Sequence, residues 1–240
     1  MKVVISQPMF FPWRGYIELI SAADIIVMYD DLQFSKGSFS NRVQIKGPNG
    51  KFWLTAPIKK EKNKKTLIKD LMIYNKKEWG KILLKQVISC LKNTPYFENA
   101  LQIVKEVVDD NSQKLSTISW NSTNHILKFF NKYNKSKFLK SDGIANNLSG
   151  YKRVLEILNY LKADTYISAL GGKLYLPHEE FESKGIEVKY PIYDLSSYPQ
   201  KFGSFDPFVS SLDLISNVGR SGLDQSSFNL INWREHKNEG

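Results

Sequence analysis

Two adjacent carboxylates, Asp30 and Asp31, are the strongest candidates in this chain for acid–base chemistry. They follow the apolar run of residues 25–29, which is typical of a buried parallel strand, and ligands of open α/β sheets bind beyond the carboxyl ends of such strands. Either carboxylate could take a proton from an attacking amine or bind a ligand hydroxyl. The alternative is a pair that caps a loop. Adjacent strand residues point to opposite faces, so we expect only one of them to face a site.

Further polar and aromatic side chains gather in the first 57 residues, mostly just after apolar runs. A guanidinium offers paired donors, which makes Arg42 a candidate for pyrophosphate binding, with a surface salt bridge as the alternative. Neutral amides could hydrogen-bond a ligand and aromatic rings could stack on one, although rings at helical spacing are more often core. These candidates are Gln7, Trp13, Tyr16, Gln33 and Asn41, with Lys36 and Lys173 as candidate phosphate contacts.

The histidines and the single cysteine give no sign of a metal centre. His125, His178 and His236 are isolated along the chain rather than paired at metal-ligand spacing. Of the three, His178 lies in a predicted loop and is a candidate catalytic base. Cys90 cannot form an internal disulfide, and its apolar helical setting favours packing over a nucleophilic role. We expect neither a bound metal nor a cofactor.

The net charge of +10 is concentrated in one segment. Residues 59–92 hold eleven lysines against three acidic residues, a net charge of +8. Such a segment could attract RNA or an acidic membrane surface, and the alternative is a solvated lysine-rich face. The absence of a long apolar run and of a signal peptide predicts a cytoplasmic protein without a membrane span.

Periodicity and turn residues predict a single α/β domain over residues 1–240. We predict a mostly parallel Rossmann-like sheet, a β-hairpin around Asn49-Gly50 and a helical insertion at 78–133. The helix predicted at 151–161 places Arg153 on its polar face. Strands are predicted at 2–6, 25–29, 42–45, 51–56, 165–168 and 186–190, and helices at 13–23, 78–91, 97–109, 112–132, 151–161, 181–185 and from about Ser210.

One long string of residues closely resembles the WbqC-like protein family. The string begins Gln-Pro-x-aromatic-aromatic-Pro-Trp-x-Gly-Tyr, and a looser similarity continues to residue 219. Members usually carry a histidine before the Gln-Pro pair, whereas this chain has Ser6. The matching N-terminal residues are Gln7, Pro8, Phe11, Pro12, Trp13, Gly15, Tyr16, Asp24, Asp31, Gln33, Phe34, Asn41, Arg42, Trp53, Leu54, Thr55 and Pro57, and Tyr175, Tyr198 and Asp206 belong to the later matches.

The resemblance implies a bacterial enzyme of surface-polysaccharide (O-antigen, lipopolysaccharide) biosynthesis. Its implied reaction is transfer of an amino acid, with glycine favoured, or of an acyl group onto the amine of a nucleotide-linked amino sugar. It adds Thr55 and Tyr175 to the candidate substrate-binding residues, and Tyr198 and Asp206 as residues that close the pocket from the C-terminal half. Aminoacyl-tRNA bound through residues 59–92, acyl-CoA and ATP-activated glycine all remain open as donors.

Two other classes of function remain open at this point. A strand, loop and helix with Gly15 near the helix start is an arrangement that binds phosphate, as in nucleotidyltransferases, although the His-x-Gly-His signature is absent. A non-catalytic RNA-binding or assembly protein would use the lysine-rich segment instead.

Overall fold

Six strands form one sheet within residues 1–59, 66–224 and 226–236, the part of the chain that the computed structural model describes. The strands of the chain are β1 (Lys2–Ser6), β2 (Ile25–Met28), β3 (Arg42–Gly47), β4 (Gly50–Thr55), β5 (Phe138–Lys140), β6 (Thr165–Ile167), β7 (Glu187–Ile192) and β8 (Asn229–Asn232).

The order of the strands in the sheet is that of a Rossmann fold. The sheet runs β5-β2-β1-β6-β7-β8, with parallel pairing throughout except for the antiparallel pair β7–β8. In chain order this is 3-2-1-4-5-6, so the order of strand addition reverses between β1 and β6. The prediction of an α/β fold with a mostly parallel sheet is confirmed, and the carboxyl ends of β1 and β6 become the first place to look for a ligand.

Helices cover both faces of the sheet, as parallel sheets require. They are α1 (Arg14–Ser21), α2 (Lys76–Leu91), α3 (Phe97–Asp109), α4 (Leu115–Phe129), α5 (Gly150–Tyr160), α6 (His178–Ser183), α7 (Ser211–Val218) and α8 (Trp233–His236). Short 3-10 helices lie at Ile68–Asp70, Lys135–Lys137, Leu170–Leu174 and Gly219–Leu223. Thus α2, α3 and α4 occupy the middle segment where periodicity predicts helices, while its division from the rest as an insertion stays a prediction.

Alternation along the strands divides the apolar residues into two cores. On β1, Val3 belongs to the core beneath α5 and α6, whereas the next residue, Val4, belongs to the core beneath α1 and α4. On β6, Tyr166 and Ile167 divide in the same way. Each core excludes water from one face of the sheet, so polar side chains that serve a ligand must lie at its edges.

The hairpin β3–β4 forms a separate two-stranded sheet, as the Asn49-Gly50 turn predicts. Gly50 adopts a φ of +98°, which glycine accepts without a steric penalty. The Ser210 amide donates to the Gln44 carbonyl at 2.8 Å, so the hairpin also holds the C-terminal segment that leads into α7.

The lysine-rich segment 59–92 is described only in part, because residues 60–65 lie outside the described residues. Within the rest, Lys76 donates to the Asp110 carbonyl, and Lys81 lies 3.4 Å from Glu78. No helix among the described residues has both the length and the apolar character needed to cross a membrane.

Candidate functional site

A cleft opens at the carboxyl ends of β2 and β5, and we call it the β2–β5 cleft. Its volume is about 650 Å³, and α4 forms one wall. Lysines and carboxylates both line it: Lys69, Lys114, Lys135 and Lys140, with Asp30, Asp70 and Asp142. A cleft with four cations and three carboxylates suits a ligand that itself carries charges of both signs.

One pair of charges in the β2–β5 cleft is already neutralised. Lys69 Nζ donates to Asp142 Oδ1 at 3.0 Å, and this hydrogen bond raises the pKa of Lys69. Among the described residues, no carboxylate forms an ion pair with Lys114, Lys135 or Lys140. These three ammonium groups are therefore the cations that the cleft offers to an anionic ligand.

The same cleft contains a group of aromatic rings and two buried polar atoms without a partner. The Tyr133 and Phe138 rings stack with centroids 5.8 Å apart, and Trp120 meets Phe138 edge-on at 6.1 Å. Trp120 Nε1 and Asn124 Oδ1, one helical turn apart on α4, are buried without a hydrogen-bond partner in the described part of the chain. Nearly all buried polar atoms of native proteins have a hydrogen-bond partner. A donor and an acceptor without partners beside a cleft therefore suit a ligand that carries a polar ring.

Asp30 and Asp31 point in opposite directions, as adjacent residues after a strand are expected to do. Asp30 lines the β2–β5 cleft and accepts a hydrogen bond from Ser116 Oγ on α4. Asp31 is instead paired with Arg153, whose Nη2 lies 2.5 Å from Asp31 Oδ2, and it accepts from Ser141 Oγ at 2.6 Å.

The environment of Asp31 makes it a poor base. Burial opposes its ionisation, but the hydrogen bonds from Arg153 and Ser141 outweigh burial and hold the pKa of Asp31 below its usual value. Asp30 is therefore the better-placed base candidate. The assignment of Arg153 to a polar helix face was wrong, because the side chain is buried and its charge is compensated by Asp31 rather than by water.

A second cleft, of about 310 Å³, lies at the carboxyl end of β1 and reaches Ala169 just after β6. We call it the β1–β6 cleft, and it occupies the point where the strand order reverses. It contains three of the predicted substrate-binding residues, Gln7, Trp13 and Tyr16. Burial raises the pKa of Tyr16, whose hydroxyl donates to the Gln7 carbonyl at 3.3 Å.

A stripe of hydroxyl groups on α4 holds the loops that form both clefts, and sequence analysis missed it. Ser116 donates to Asp30, Ser119 donates to the Ser40 carbonyl at 2.6 Å, and Thr123 donates to the Met9 carbonyl at 3.0 Å. Their spacing of three and four residues places them on one helix face. This regular spacing of small polar residues on the same helix as the buried Ile118, Ile126 and Leu127 is the signal that could have revealed them.

The loop between β1 and α1 contains a strained residue. Phe11 is fully buried at a φ of +40°, a conformation that bulky residues rarely adopt. Its amide donates to Ser122 Oγ at 2.8 Å, and its carbonyl accepts from Ser210 Oγ at 2.8 Å. These contacts fix the loop that carries Gln7 and Trp13.

Several predicted site residues support the hairpin rather than a cleft. Asn41 Nδ2 donates to the Ala56 carbonyl at 3.0 Å. Arg42 donates twice to the Gly37 carbonyl, at 2.7 and 3.0 Å, and its guanidinium lies 4.1 Å from the centre of the Trp53 ring. Thr55 is exposed, and its carbonyl accepts from Trp79 Nε1. Gln33 and Lys36 are exposed on the loop that precedes the hairpin.

His178, Lys173 and Tyr175 lie on the other side of the sheet from α4. His178 is buried at the start of α6, where Nε2 lies 2.7 Å from the Tyr190 hydroxyl and the ring stacks on Trp233 at 4.5 Å. Lys173 Nζ lies 5.8 Å from the centre of the Tyr190 ring, and Tyr175 is exposed. The structure therefore does not bring His178 together with Asp30.

Asp206 fastens the C-terminal segment to the hairpin, and Tyr198 joins that segment to α7. Tyr198 Oη donates to the buried Asp213 at 2.9 Å, and burial raises the pKa of Asp213. Asp206 pairs with Lys51 of β4 at 2.5 Å. Their predicted role in closing a pocket stays a prediction, and the contacts seen here join β4 to the segment before α7.

The comparisons with known proteins agree with the motif in the first 57 residues. The model of the WbqC-like protein family matches residues 7–225. A protein of Mycobacterium tuberculosis (strain ATCC 25618 / H37Rv), "Uncharacterized protein Rv1507c", is 27% identical over 225 residues, which cover 93% of this chain and 96% of the relative. No solved structure matches the chain. Because the family model spans most of its length, the chain belongs to the WbqC-like protein family.

Proposed function

We propose that this protein is a transferase that moves an amino acid, glycine in the first instance, or another acyl group onto the amine of a nucleotide-linked amino sugar in bacterial O-antigen biosynthesis. The composition of the β2–β5 cleft is the observation that carries the proposal. A nucleotide-linked amino sugar carries a pyrophosphate, an aromatic base and an ammonium group. The cleft offers a complementary group for each of them.

Each part of the ligand has a different kind of partner in the β2–β5 cleft. Lys114, Lys135 and Lys140 would bind the phosphates as compact cations. The base would stack on the rings of Trp120 and Phe138. Its edge would form hydrogen bonds with Trp120 Nε1 and Asn124 Oδ1, the two buried atoms on α4 that have no partner in the described part of the chain. Asp30 would face the sugar ammonium. A cleft with lysines alone would attract any polyanion, and its carboxylates are what favour a ligand that also has an amine.

The chemical step requires a base that accepts one proton. The amine attacks the carbonyl carbon of the activated acyl group, and the new C–N bond forms as the bond from carbon to the leaving oxygen breaks. Before the attack, Asp30 takes one proton from the bound ammonium, which makes the nitrogen nucleophilic. The second proton, which the nitrogen loses as the C–N bond forms, passes to the leaving oxygen. Positioned general bases of this kind contribute about 10²–10⁴-fold to a rate.

Aminoacyl-tRNA is the favoured donor. Lys69 belongs to the lysine-rich segment 59–92 and also lines the β2–β5 cleft, so the two basic features adjoin. An aminoacyl ester arrives already activated, and lysines that neutralise its phosphates supply affinity without reading sequence.

Mass spectrometry of the product tests the proposal. A dTDP-linked 4-amino-4,6-dideoxy sugar would be mixed with the protein and, in parallel, with glycyl-tRNA, glycine plus ATP, or acetyl-CoA. We expect a mass gain of one glycyl group with glycyl-tRNA, a loss of about 10²-fold or more in rate for Asp30→Asn, and an unchanged rate for the exposed Asp109→Asn control. No gain with any donor, or full activity of Asp30→Asn, would contradict the proposal.

A further inference from the structure

The β1–β6 cleft differs from the β2–β5 cleft in its charge. Its described lining residues include no charged side chain, and its polar groups are hydroxyls and one amide. The cleft offers no cation for a phosphate and no carboxylate for an amine. Its ligand, or the part of a ligand that it holds, is therefore uncharged.

Aromatic rings form one side of the β1–β6 cleft and are held in fixed positions. Trp13 contacts Tyr193 edge-on, with ring centres 4.7 Å apart, and Phe208 supports Trp13 from outside at 5.3 Å. Phe39 lies at the cleft and is half exposed. Rings held in this way offer an apolar surface on which the C–H face of a saturated ring can stack.

The hydrogen-bonding groups of the β1–β6 cleft are not all used within the protein. Ser38 Oγ is buried without a hydrogen-bond partner in the described part of the chain. The Gln7 side chain is exposed at the end of β1. Hydroxyls and a primary amide each donate and accept, so together they match a ligand that carries several hydroxyls better than they match the two or three polar atoms of a nucleobase edge.

From these observations we infer that the β1–β6 cleft is a second ligand site, which binds an uncharged hexose ring stacked on Trp13 and hydrogen-bonded by Gln7 and Ser38. The buried, strained Phe11 supports this role, because strained backbone persists at sites where the surrounding structure enforces one loop conformation. The ring belongs to a ligand other than the nucleotide-linked amino sugar, because the described lining residues of the β1–β6 cleft include no carboxylate for that sugar's ammonium, and the experiment separates an uncharged glycoside from the charged ligand.

Fluorine NMR can monitor both clefts in one sample. The chain has five tryptophans, of which Trp13 lines the β1–β6 cleft and Trp120 lines the β2–β5 cleft. Protein labelled with 5-fluorotryptophan would be titrated with methyl α-glucoside, with dTDP, and with a dTDP-linked amino sugar. Single Trp→Phe variants assign each signal, and Trp53, Trp79 and Trp233 serve as internal controls.

We expect methyl α-glucoside to move the Trp13 signal in the millimolar range without moving the Trp120 signal, and dTDP to do the reverse. The exposed Gln7→Ala variant should weaken the glycoside response by roughly tenfold, as expected for the loss of one hydrogen bond, and the exposed Gln102→Ala control should not. A Trp13 signal that moves only with the dTDP-linked amino sugar would overturn the inference, because that ligand carries an ammonium group. A Trp13 signal that moves with none of the three, or that moves together with all control signals, would overturn the inference. A Trp120 signal that ignores dTDP would count against the proposed function alone.

Discussion

Arg153 and Asp31 form a buried ion pair, with Nη2 2.5 Å from Oδ2 and with side chains only 6% and 5% exposed. The pair joins α5 to the end of β2, and its Asp31 is the residue that follows Asp30 in the chain. One carboxylate of the Asp30-Asp31 step thus anchors the strand end, and this leaves the other in a fixed position toward the β2–β5 cleft.

Removal of one partner of this pair should be costly. Asp31→Ala leaves the guanidinium of Arg153 buried without its counter-charge, so we expect unfolding in urea to show a loss of about 3–5 kcal/mol. Asp30→Ala is the matched control, and its cost should be smaller because the cleft is open to water. In the double variant Asp31→Ala/Arg153→Met, the loss should be well below the sum of the single losses. Equal losses for Asp30→Ala and Asp31→Ala would contradict this account.

The same pair predicts a dependence of stability on pH. The folded-state pKa of Asp31 is lowered, so its contribution is fully present above the unfolded aspartate pKa of about 3.9 and is lost as pH falls through the folded pKa. The difference in unfolding free energy between wild type and Asp31→Ala should therefore be constant from about pH 7 to about pH 5 and should shrink in more acidic solution. A difference that grows on acidification would refute the assignment.

Gly15 should tolerate no side chain. A Cβ at this position would lie 2.3 Å from the Trp13 ring, whereas a Cβ at Gly171 would meet nothing within 4 Å. We expect Gly15→Ala to displace Trp13 and to cost about 1–3 kcal/mol, as overpacking does, and Gly171→Ala to be close to neutral. Urea unfolding measures the cost, and the Trp13 fluorine signal reports the displacement. A Trp13 signal that stays at its wild-type position in Gly15→Ala would contradict this prediction, because it would show that the added Cβ does not displace the ring.

Ser122 should matter for the loop between β1 and α1. Its hydroxyl accepts from the Phe11 amide, so Ser122→Ala leaves a buried N–H without a partner, at a cost of about 1–3 kcal/mol. The exposed Ser89→Ala should change stability by no more than about 0.5 kcal/mol. Amide hydrogen exchange provides a second readout, since Phe11 should lose protection in Ser122→Ala and keep it in Ser89→Ala. Unchanged protection in both variants would argue that this hydrogen bond does not hold the loop.

The fold could be predicted from sequence where the signal is local. The apolar run at 25–29 and the Asn49-Gly50 turn are such signals, and both elements are present. By contrast, β5 and β8 were missed. The first has only three residues, of which Phe138 is the one that packs against a core, and the second is an edge strand without a fully buried position. Strands this short are defined by their neighbours rather than by their own periodicity.

The candidate site was only partly predictable for a related reason. Gln7 and Asp30 could be placed because each follows a strand directly, and a strand end fixes its own location. Lys114 is far in sequence from Lys135 and Lys140, and the three line one cleft only because α4 and β5 pack beside β2. Helical periodicity predicts an exposed position for Arg153, because it does not reveal that Asp31, at the end of β2, forms a buried ion pair with this side chain.

The most direct test of the central claim is calorimetric titration of a dTDP-linked 4-amino-4,6-dideoxy sugar into the protein. We predict binding that weakens by well over tenfold in the triple variant Lys114→Ala/Lys135→Ala/Lys140→Ala, through the loss of three charge-assisted contacts, and that is unchanged in the exposed control Lys132→Ala. We also predict that an analogue with a hydroxyl in place of the amine binds more weakly to wild type, and that Asp30→Asn abolishes this preference. Equal affinities for wild type and the triple lysine variant would contradict the assignment of the β2–β5 cleft.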